Sequence, residues 1–296
     1  MAKKFRRKLQ QWVPLSSFAA SRSVGLSLGS GGACGLAHLS MLEALEELGV
    51  RPAVVSGTSI GAIVSVLYCA GYCSWELKDM VQELLGLDRR SLANRILGSR
   101  VLGYWEMFKP GLGQGGILHA EPILEFVSGH MQARDFNDLS LPCKIVAADF
   151  WDRSQVVFEA GPLLPALGAS MAVPGLFAPV EHQGRLLVDG GVVNPVPFDV
   201  LPQGCGVKVA VDVSSQRAPR QEGRPRPGYL EILFNSIEIM QQAIICQKLG
   251  VDPPEVFIQT DIREVRMLQF YKAKEIYAQA EPAKEELKRS LEELLG

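Results

Sequence analysis

A serine between two glycines is the residue of this chain best suited to nucleophilic chemistry. Gly57, Ser59 and Gly61 form a Gly-x-Ser-x-Gly pattern, preceded by the apolar run Ala53–Val55 and followed by small and apolar residues over 60–70. A strand, a sharp turn and a helix are the context in which such a serine becomes a nucleophile, and the glycines permit the turn. A single match is a weak signal. The chain must also supply a base and donors for an oxyanion.

A glycine-rich loop, Gly29–Gly35, could supply the donors, because it lies between an apolar run, Val24–Leu28, and a helical pattern. Unpaired N–H groups and the helix dipole at such a position favour negative charge. We therefore predict an oxyanion hole formed by the amides of Gly31, Gly32 and Ala33. A phosphate cradle and a plain packing turn are the alternatives. The third glycine of Gly-x-Gly-x-x-Gly is missing at its spacing, and no Gly-Lys-Ser/Thr follows.

Histidine is the usual base for a serine, and the chain has four: His38, His119, His130 and His182. His38 falls inside the first predicted helix, where a packed or hydrogen-bonded structural role is expected. The order serine, acid, histidine of an α/β-hydrolase is met only by Asp149 or Asp152 followed by His182. This triad remains an alternative.

A carboxylate can also take the serine proton directly, and Asp189 is the best candidate. It ends the apolar run Leu186–Val188 and is followed by Gly190 and Gly191, which let the backbone turn. Desolvation there would raise the pKa of Asp189 towards the range of a general base. The alternative is an ordinary Asp-Gly turn.

Strand patterns alternate with helical patterns along the chain, which predicts an α/β fold with a largely parallel sheet. Predicted strands are Val24–Leu28, Ala53–Val55, Cys143–Ala148, Gln155–Glu159, Leu186–Val188, Val207–Val213 and Glu255–Gln259. Predicted helices are Leu36–Leu48 (closed by Gly49), Ser74–Leu85 (with Ser74 as N-cap), Ala120–Met131, Leu163–Ser170, Tyr229–Leu249 and Phe270–Leu295 (broken at Pro282). The segments 89–116 and 214–228 read as loops, the first as a lid.

The composition excludes several classes of protein. With 47% hydrophobic and 21% charged residues in 296, the chain can bury a sizeable core in one large or two small domains. A net charge of −2 argues against a general nucleic-acid binder. The six cysteines form no Cys-x-x-Cys pair and no zinc spacing, so we predict free thiols in a reducing compartment, and no metal or cofactor.

The first residues form a basic tail, which we delimit as 1–22. A solvated tail is one expectation, and peripheral contact with an anionic membrane surface is the other, because basic side chains beside tryptophan suit that interface. The residues concerned are Lys3, Lys4, Arg6, Arg7, Lys8 and Trp12. The predicted location is cytoplasmic, at the inner face of the membrane if the tail binds it. The oligomeric state stays open.

Three ordered blocks resemble the patatin-like phospholipases, in their bacterial single-domain branch. The first is Leu28–His38, similar to the glycine-rich oxyanion motif of the family, and the second is Gly57–Gly61, the serine elbow. The third joins Ala169–Phe177, with its Ala-Ser-x-x-x-Pro-Gly order, to the Asp-Gly-Gly block in Leu187–Pro197. The likeness extends over roughly Val24 to Gln259.

The resemblance implies a three-layer α/β/α fold with a mostly parallel central sheet, as a catalytic domain over 23–296 on which the helices from about 262 pack. It implies a Ser–Asp dyad without a catalytic histidine. Ser59 would be the nucleophile, Asp189 the base, and the amides of Gly31, Gly32 and Ala33 the oxyanion donors. The reaction would be hydrolysis of lipid or phospholipid esters through an acyl-enzyme.

One departure from the family pattern is chemically important. Cys34 stands where the glycine-rich motif carries a basic residue, and Ser30 replaces its first glycine. A neutral thiol cannot assist a head group or an anion as a cation would. Cys34 and the basic tail motivate one alternative to a hydrolase, a catalytically weak lipid-binding or regulatory protein on the same fold. A second alternative is an acyltransferase, which shares the acyl-enzyme and differs only in the acceptor.

Overall fold

An eight-stranded sheet forms the centre of the protein. The computed structural model describes residues 23–85, 118, 120–214 and 227–296, so the basic tail, the predicted lid, His119 and most of the loop after residue 214 lie outside the described residues. The strands are β1 (Val24–Leu28), β2 (Val54–Thr58), β3 (Cys143–Asp149), β4 (Ser154–Phe158), β5 (Val180–His182), β6 (Arg185–Asp189), β7 (Val207–Asp212) and β8 (Val256–Gln259).

The strand order is β5-β6-β3-β2-β1-β7-β8, with β4 paired to β3 outside this path. Strands β3, β2, β1, β7 and β8 run parallel, whereas β4 and β6 are antiparallel to β3. The carboxyl ends of the five parallel strands therefore share one edge of the sheet, here called the carboxyl edge. In open α/β sheets this is the edge at which ligands bind.

Helices cover both faces of the sheet. They are α1 (His38–Glu47), α2 (Ile60–Cys69), α3 (Ser74–Leu84), α4 (Glu121–His130), α5 (Leu163–Ser170), α6 (Tyr229–Val251) and α7 (Ala273–Leu295). Alternate residues of β7 and β8 enter different clusters: Val209 and Ile258 pack with α1, α2 and α7, whereas Ala210 and Phe257 pack with α6. Such alternation requires a layer on each side. The predicted three-layer α/β/α fold is confirmed.

Two local predictions, on β2 and on α3, were wrong. Strand β2 continues to Thr58, because Ser56 and Gly57 pair with β1 and β3 on either side. Cys73, rather than Ser74, is the N-cap of α3, since the Ser74 hydroxyl donates to Glu46 of α1 at 2.5 Å.

Helix α7 is not broken at Pro282. Proline removes one helical hydrogen bond, but apolar residues on both sides of it, Ile276 and Leu287 among them, are fully buried. This packing holds the helix together. Within the described ranges, no helix is long and apolar enough to cross a bilayer.

Lys284 joins α7 to α1 through an ion pair. Its side chain is 7% exposed, and its Nζ lies 2.6 Å from Glu47 Oε1 and 3.0 Å from Glu43 Oε2. The neighbouring Lys288 also contacts Glu47, at 3.0 Å, but is 24% exposed. Removal of one partner from a buried ion pair lowers the free energy of unfolding far more than removal of one partner from an exposed pair.

We predict that Lys284→Ala lowers the free energy of unfolding by roughly 1–3 kcal/mol, because it removes the packing of a buried side chain and the one donor that Glu43 and Glu47 share. Glu43 keeps Lys78 and Glu47 keeps Lys288 as partners. Lys288→Ala is the matched control and should cost about 0.5 kcal/mol or less. Urea denaturation of both variants measures this. Equal losses in the two variants would contradict the assignment.

Candidate active site

Ser59 lies at a sharp turn between β2 and α2. It is the N-cap of α2, with φ 57° and ψ −124°, in the left-handed half of the Ramachandran map. A non-glycine residue pays free energy for such a conformation, and this strain is typical of a nucleophile elbow. The geometry thus matches the turn predicted from the glycine pattern.

The two flanking glycines serve close packing. Neither has a positive φ. A Cβ on Gly61 would collide with the carbonyl oxygens of Leu28 and Gly29, and one on Gly57 with the Gly61 carbonyl and the Ser65 hydroxyl. Because these two glycines have no side chains, α2 can approach β1 and β2 closely. The backbone strain of the turn lies at Ser59.

Ser170 fixes the backbone of Ser59, a role that we did not predict. The Ser59 amide donates to Ser170 Oγ at 2.9 Å, and this hydroxyl donates in turn to the Val146 carbonyl of β3 at 2.7 Å. Ser170 is fully buried at the end of α5. It belongs to the block Ala169–Phe177, so the resemblance singled out the segment but not the contact.

Strand pairing brings Asp189 close to Ser59. On β3, Val146 is registered with Thr58 of β2, and the next residue, Ala147, with Asp189 of β6. The register therefore brings Asp189 beside Ser59. Asp189 is 4% exposed, and its Oδ1 accepts the Gly191 amide at 2.6 Å. Its Oδ2 is buried and has no hydrogen bond of ordinary geometry.

Burial raises the pKa of Asp189 to about 6, while hydrogen bonding from the Ser59 side chain and the Gly191 amide opposes the rise. The Ser59 hydroxyl is thus close enough to act on the carboxyl group, although the contact lacks ideal hydrogen-bond geometry. Contacts of this kind commonly tighten when substrate binds. A carboxylate with a pKa near 6 can accept a proton at neutral pH.

The glycine-rich loop offers two of the three predicted oxyanion donors. The Ala33 amide already donates to the Met267 carbonyl at 2.7 Å. The loop leads into a 3-10 helix, Gly32–Ala37, so α1 begins at His38 and not at Leu36 as predicted. A Cβ on Gly32 would lie 2.6 Å from Met267. Gly31 and Gly32 therefore remain the candidate donors.

Two buried residues of this loop region, His38 and Cys34, are uncharged at neutral pH. His38 is fully buried, its Nε2 contacts the Gly29 carbonyl at 2.8 Å, and burial lowers its pKa to about 4. The expected structural role of His38 is confirmed. Burial, reinforced by the Glu238 carboxylate, raises the pKa of Cys34 to about 12, so this residue is a protonated thiol.

The alternative triad is not assembled. Asp149 Oδ1 accepts the amides of Trp151 and Asp152, each at 3.0 Å, and its other oxygen lies 3.8 Å from Arg185. His182 packs edge-to-face on Phe158. Of the three histidines that the structure describes, none lines the cavity at Ser59.

A cavity of about 180 Å³ contains both Ser59 and Asp189. Glycines apart, its polar lining within the described residues is confined to six side chains: Ser30, Ser59, Asp189, Ser214, Glu238 and Gln241. The other walls are aliphatic, aromatic or methionine side chains from α2, α3, α4, α6 and the segment around Met267. An apolar cavity with a few polar groups at one place suits a ligand with a long hydrocarbon part.

A family model described as Patatin-like phospholipase matches residues 26–202, which include the glycine loop, Ser59 and Asp189. The chain belongs to the patatin-like phospholipase family. Among other members, an uncharacterised NTE family protein of Mycobacterium tuberculosis is 32% identical over 70% of this chain and 54% of its own length. The chain thus spans about half the length of that relative.

Lysophospholipase NTE1 of Saccharomyces cerevisiae is 28% identical over 92% of this chain but only 17% of its own length. Among solved structures, VipD from Legionella pneumophila shows a TM-score of 0.49 at 14% identity, covering 91% of this chain and 68% of that one. The match to the family model confirms the patatin-like resemblance of the three sequence blocks.

Replacing Ser170 by alanine should slow catalysis, because the Ser59 amide loses its acceptor and the elbow loses its anchor to β3. We expect kcat to fall by about 10- to 100-fold and the free energy of unfolding by roughly 1–3 kcal/mol. Steady-state kinetics and urea denaturation measure the two effects.

Ser65→Ala is the matched control. Its hydroxyl is also buried and donates to the Ser56 carbonyl at 3.3 Å, but it does not hold Ser59. A comparable loss of kcat in both variants, or none in Ser170→Ala, would contradict a positioning role for Ser170.

Proposed function

We propose that this chain is a serine acyl hydrolase of lipid esters that uses a Ser59–Asp189 dyad. The observation that carries the proposal is the meeting of a strained, cavity-lining serine with a buried aspartate of raised pKa in an apolar cavity. The first proton transfer does not require a histidine, since Asp189 can itself take the proton of the Ser59 hydroxyl.

Acylation would begin with proton transfer from Ser59 Oγ to the free oxygen of Asp189. The serine oxygen forms a bond to the ester carbonyl carbon, and the carbonyl oxygen becomes an oxyanion that the Gly31 and Gly32 amides stabilise. As the tetrahedral intermediate collapses, the alkoxide leaves with the proton from Asp189. The product is an acyl-enzyme on Ser59.

Deacylation would use the same groups with water in place of serine. Asp189, ionised again, accepts a proton from a water molecule while the oxygen of that water attacks the acyl carbon. Collapse of this second intermediate expels Ser59, which takes the proton back, and the fatty acid is released. The buried Oδ2 of Asp189 has no competing partner of ordinary geometry, which supports this use.

The cavity supports long-chain acyl esters as substrates. Its aliphatic and aromatic walls would bury the acyl chain, while Ser30 and Gln241 in its lining would face the polar part of the lipid. The yeast relative is named a lysophospholipase. We accordingly propose a phospholipid or lysophospholipid as substrate.

A fluorophosphonate probe should label Ser59, because attack on phosphorus with loss of fluoride mimics acylation. Mass spectrometry of the digested protein should locate the adduct on the peptide that contains Ser59. Ser59→Ala should abolish labelling, and Ser65→Ala should retain it. A folded protein without an adduct on Ser59 would refute the proposed nucleophile.

Asp189→Asn should reduce kcat by about 10²- to 10⁴-fold, the usual contribution of a general base. In the unsubstituted enzyme, kcat/KM should rise with pH through about 6 as Asp189 loses its proton. A kcat/KM that stays constant from pH 5, about one unit below the expected pKa, up to pH 8 would mean that another group is the base.

The same substitution should stabilise the fold. Because the pKa of Asp189 rises from 3.8 to about 6 on folding, ionisation costs roughly 3 kcal/mol above pH 6, and this cost disappears below pH 4. Asp189→Asn should therefore raise the free energy of unfolding at alkaline pH but not at acid pH. The exposed Asp261, paired with Arg263, supplies the control variant Asp261→Asn, which should show no such stabilisation.

A further inference from the structure

The turn between β3 and β4 exposes two adjacent aromatic side chains. Phe150 is 51% exposed and Trp151 73%, and their rings meet edge to face with centroids 4.9 Å apart. Large apolar side chains at the tip of a turn are costly in water unless a partner covers them. They have no part in the proposed chemistry.

The turn holds these side chains in place. Asp149 Oδ1 accepts the amides of Trp151 and Asp152, and the Phe150 amide donates to the Leu186 carbonyl of the neighbouring β6 at 2.8 Å. The backbone is thus fixed by hydrogen bonds from two strands. Such a turn presents its aromatic pair without the entropy cost of ordering it on binding.

The turn lies at the carboxyl edge of the sheet, where Ser59 also lies. Asp149 ends β3 two residues beyond Ala147, the residue registered with Asp189. At about 3.3 Å per residue, the aromatic pair stands roughly 10 Å further along the strand direction than the dyad. It therefore flanks the site on the side to which the parallel strands point.

A second apolar group occurs at the start of α6. Tyr229 is 79% exposed and Ile232 52%, and the helix runs from the carboxyl edge, after β7, back to the beginning of β8. Further along this helix, Ile237 and Gln241 line the cavity. Both exposed apolar groups therefore lie near the carboxyl edge of the sheet, as the cavity does.

From these contacts we propose that Phe150 and Trp151, with Tyr229 and Ile232, form a docking surface for a lipid bilayer. The surface would insert apolar side chains at the headgroup level and bring the cavity to its substrate. It rests on the proposed lipid hydrolase function, because an apolar acyl cavity at this edge is what makes a membrane the fitting partner.

The chemistry of the surface favours lipid over an oppositely charged partner. Tryptophan and tyrosine are the side chains that prefer the bilayer interface. The charges around the aromatic pair nearly cancel: Asp149, Asp152 and Glu181 stand against Arg153 and Arg185. Insertion of apolar side chains, not electrostatic adsorption, would therefore supply the binding free energy, and zwitterionic lipid should suffice.

The test is co-sedimentation of the full chain with dioleoylphosphatidylcholine vesicles in about 1 M NaCl, where the Debye length is about 3 Å and electrostatic binding is suppressed. The double variant Phe150→Ser with Trp151→Ser should reduce the vesicle-bound fraction by roughly tenfold or more. Trp151→Ser alone should give an intermediate loss.

Trp75→Ser is the matched control. Trp75 is 51% exposed at the start of α3, which follows α2 at the opposite edge of the sheet, and its loss should leave vesicle binding unchanged. Hydrolysis of a soluble short-chain ester should be equal in all four proteins, which also shows that the variants are folded. Hydrolysis of lipid in vesicles should fall with the bound fraction.

Unchanged vesicle binding in the double variant would overturn the docking surface, and so would absence of binding by the unsubstituted protein. A change of oligomeric state in the double variant, seen by light scattering, would overturn it in favour of a protein interface. If no ester is hydrolysed while vesicle binding depends on Phe150 and Trp151, the proposed enzymatic function fails and the docking surface stands.

Discussion

A buried carboxyl group beside a strained serine is the constraint around which this structure is arranged. Asp189 is almost completely removed from water and retains one oxygen without a hydrogen bond of ordinary geometry. Ionisation of such a group costs free energy that the rest of the fold must offset. The Gly191 amide and the Ser59 side chain limit that cost without removing it. The raised pKa that results is the property a base needs at neutral pH.

Strand β3 connects the parts of this arrangement. One stretch of β3 pairs with β2, which leads directly into Ser59, and the next stretch pairs with β6, which ends at Asp189. The carbonyl of Val146, at the junction, accepts the Ser170 hydroxyl that in turn holds the Ser59 amide. Ser59 and Asp189 are therefore positioned from one strand, which allows a precise geometry although the two residues are far apart in sequence.

Sequence patterns predicted the α/β fold and the order of its main elements, because periodicity and glycine positions are local signals. They also pointed to Ser59 and the glycine-rich loop, whereas the family resemblance, and not the local pattern, selected Asp189 over an ordinary Asp-Gly turn. They could not reveal contacts made by distant segments: the Met267 carbonyl on the Ala33 amide, the Ser170 anchor, or the Glu46 carboxylate that displaces Ser74 from its capping role. The continuity of α7 through Pro282 has the same origin, since tertiary burial outweighs a local breaker.

The coupling between Ser59 and Asp189 is the central claim, and the titration of the Asp189 carboxyl carbon by ¹³C NMR tests it most directly. In the unsubstituted protein this carboxyl should titrate with a pKa of about 6. In Ser59→Ala its pKa should rise further, because the hydrogen bonding that favours the ionised form is lost. A pKa near 3.8 that does not change on removal of the serine hydroxyl would contradict the dyad.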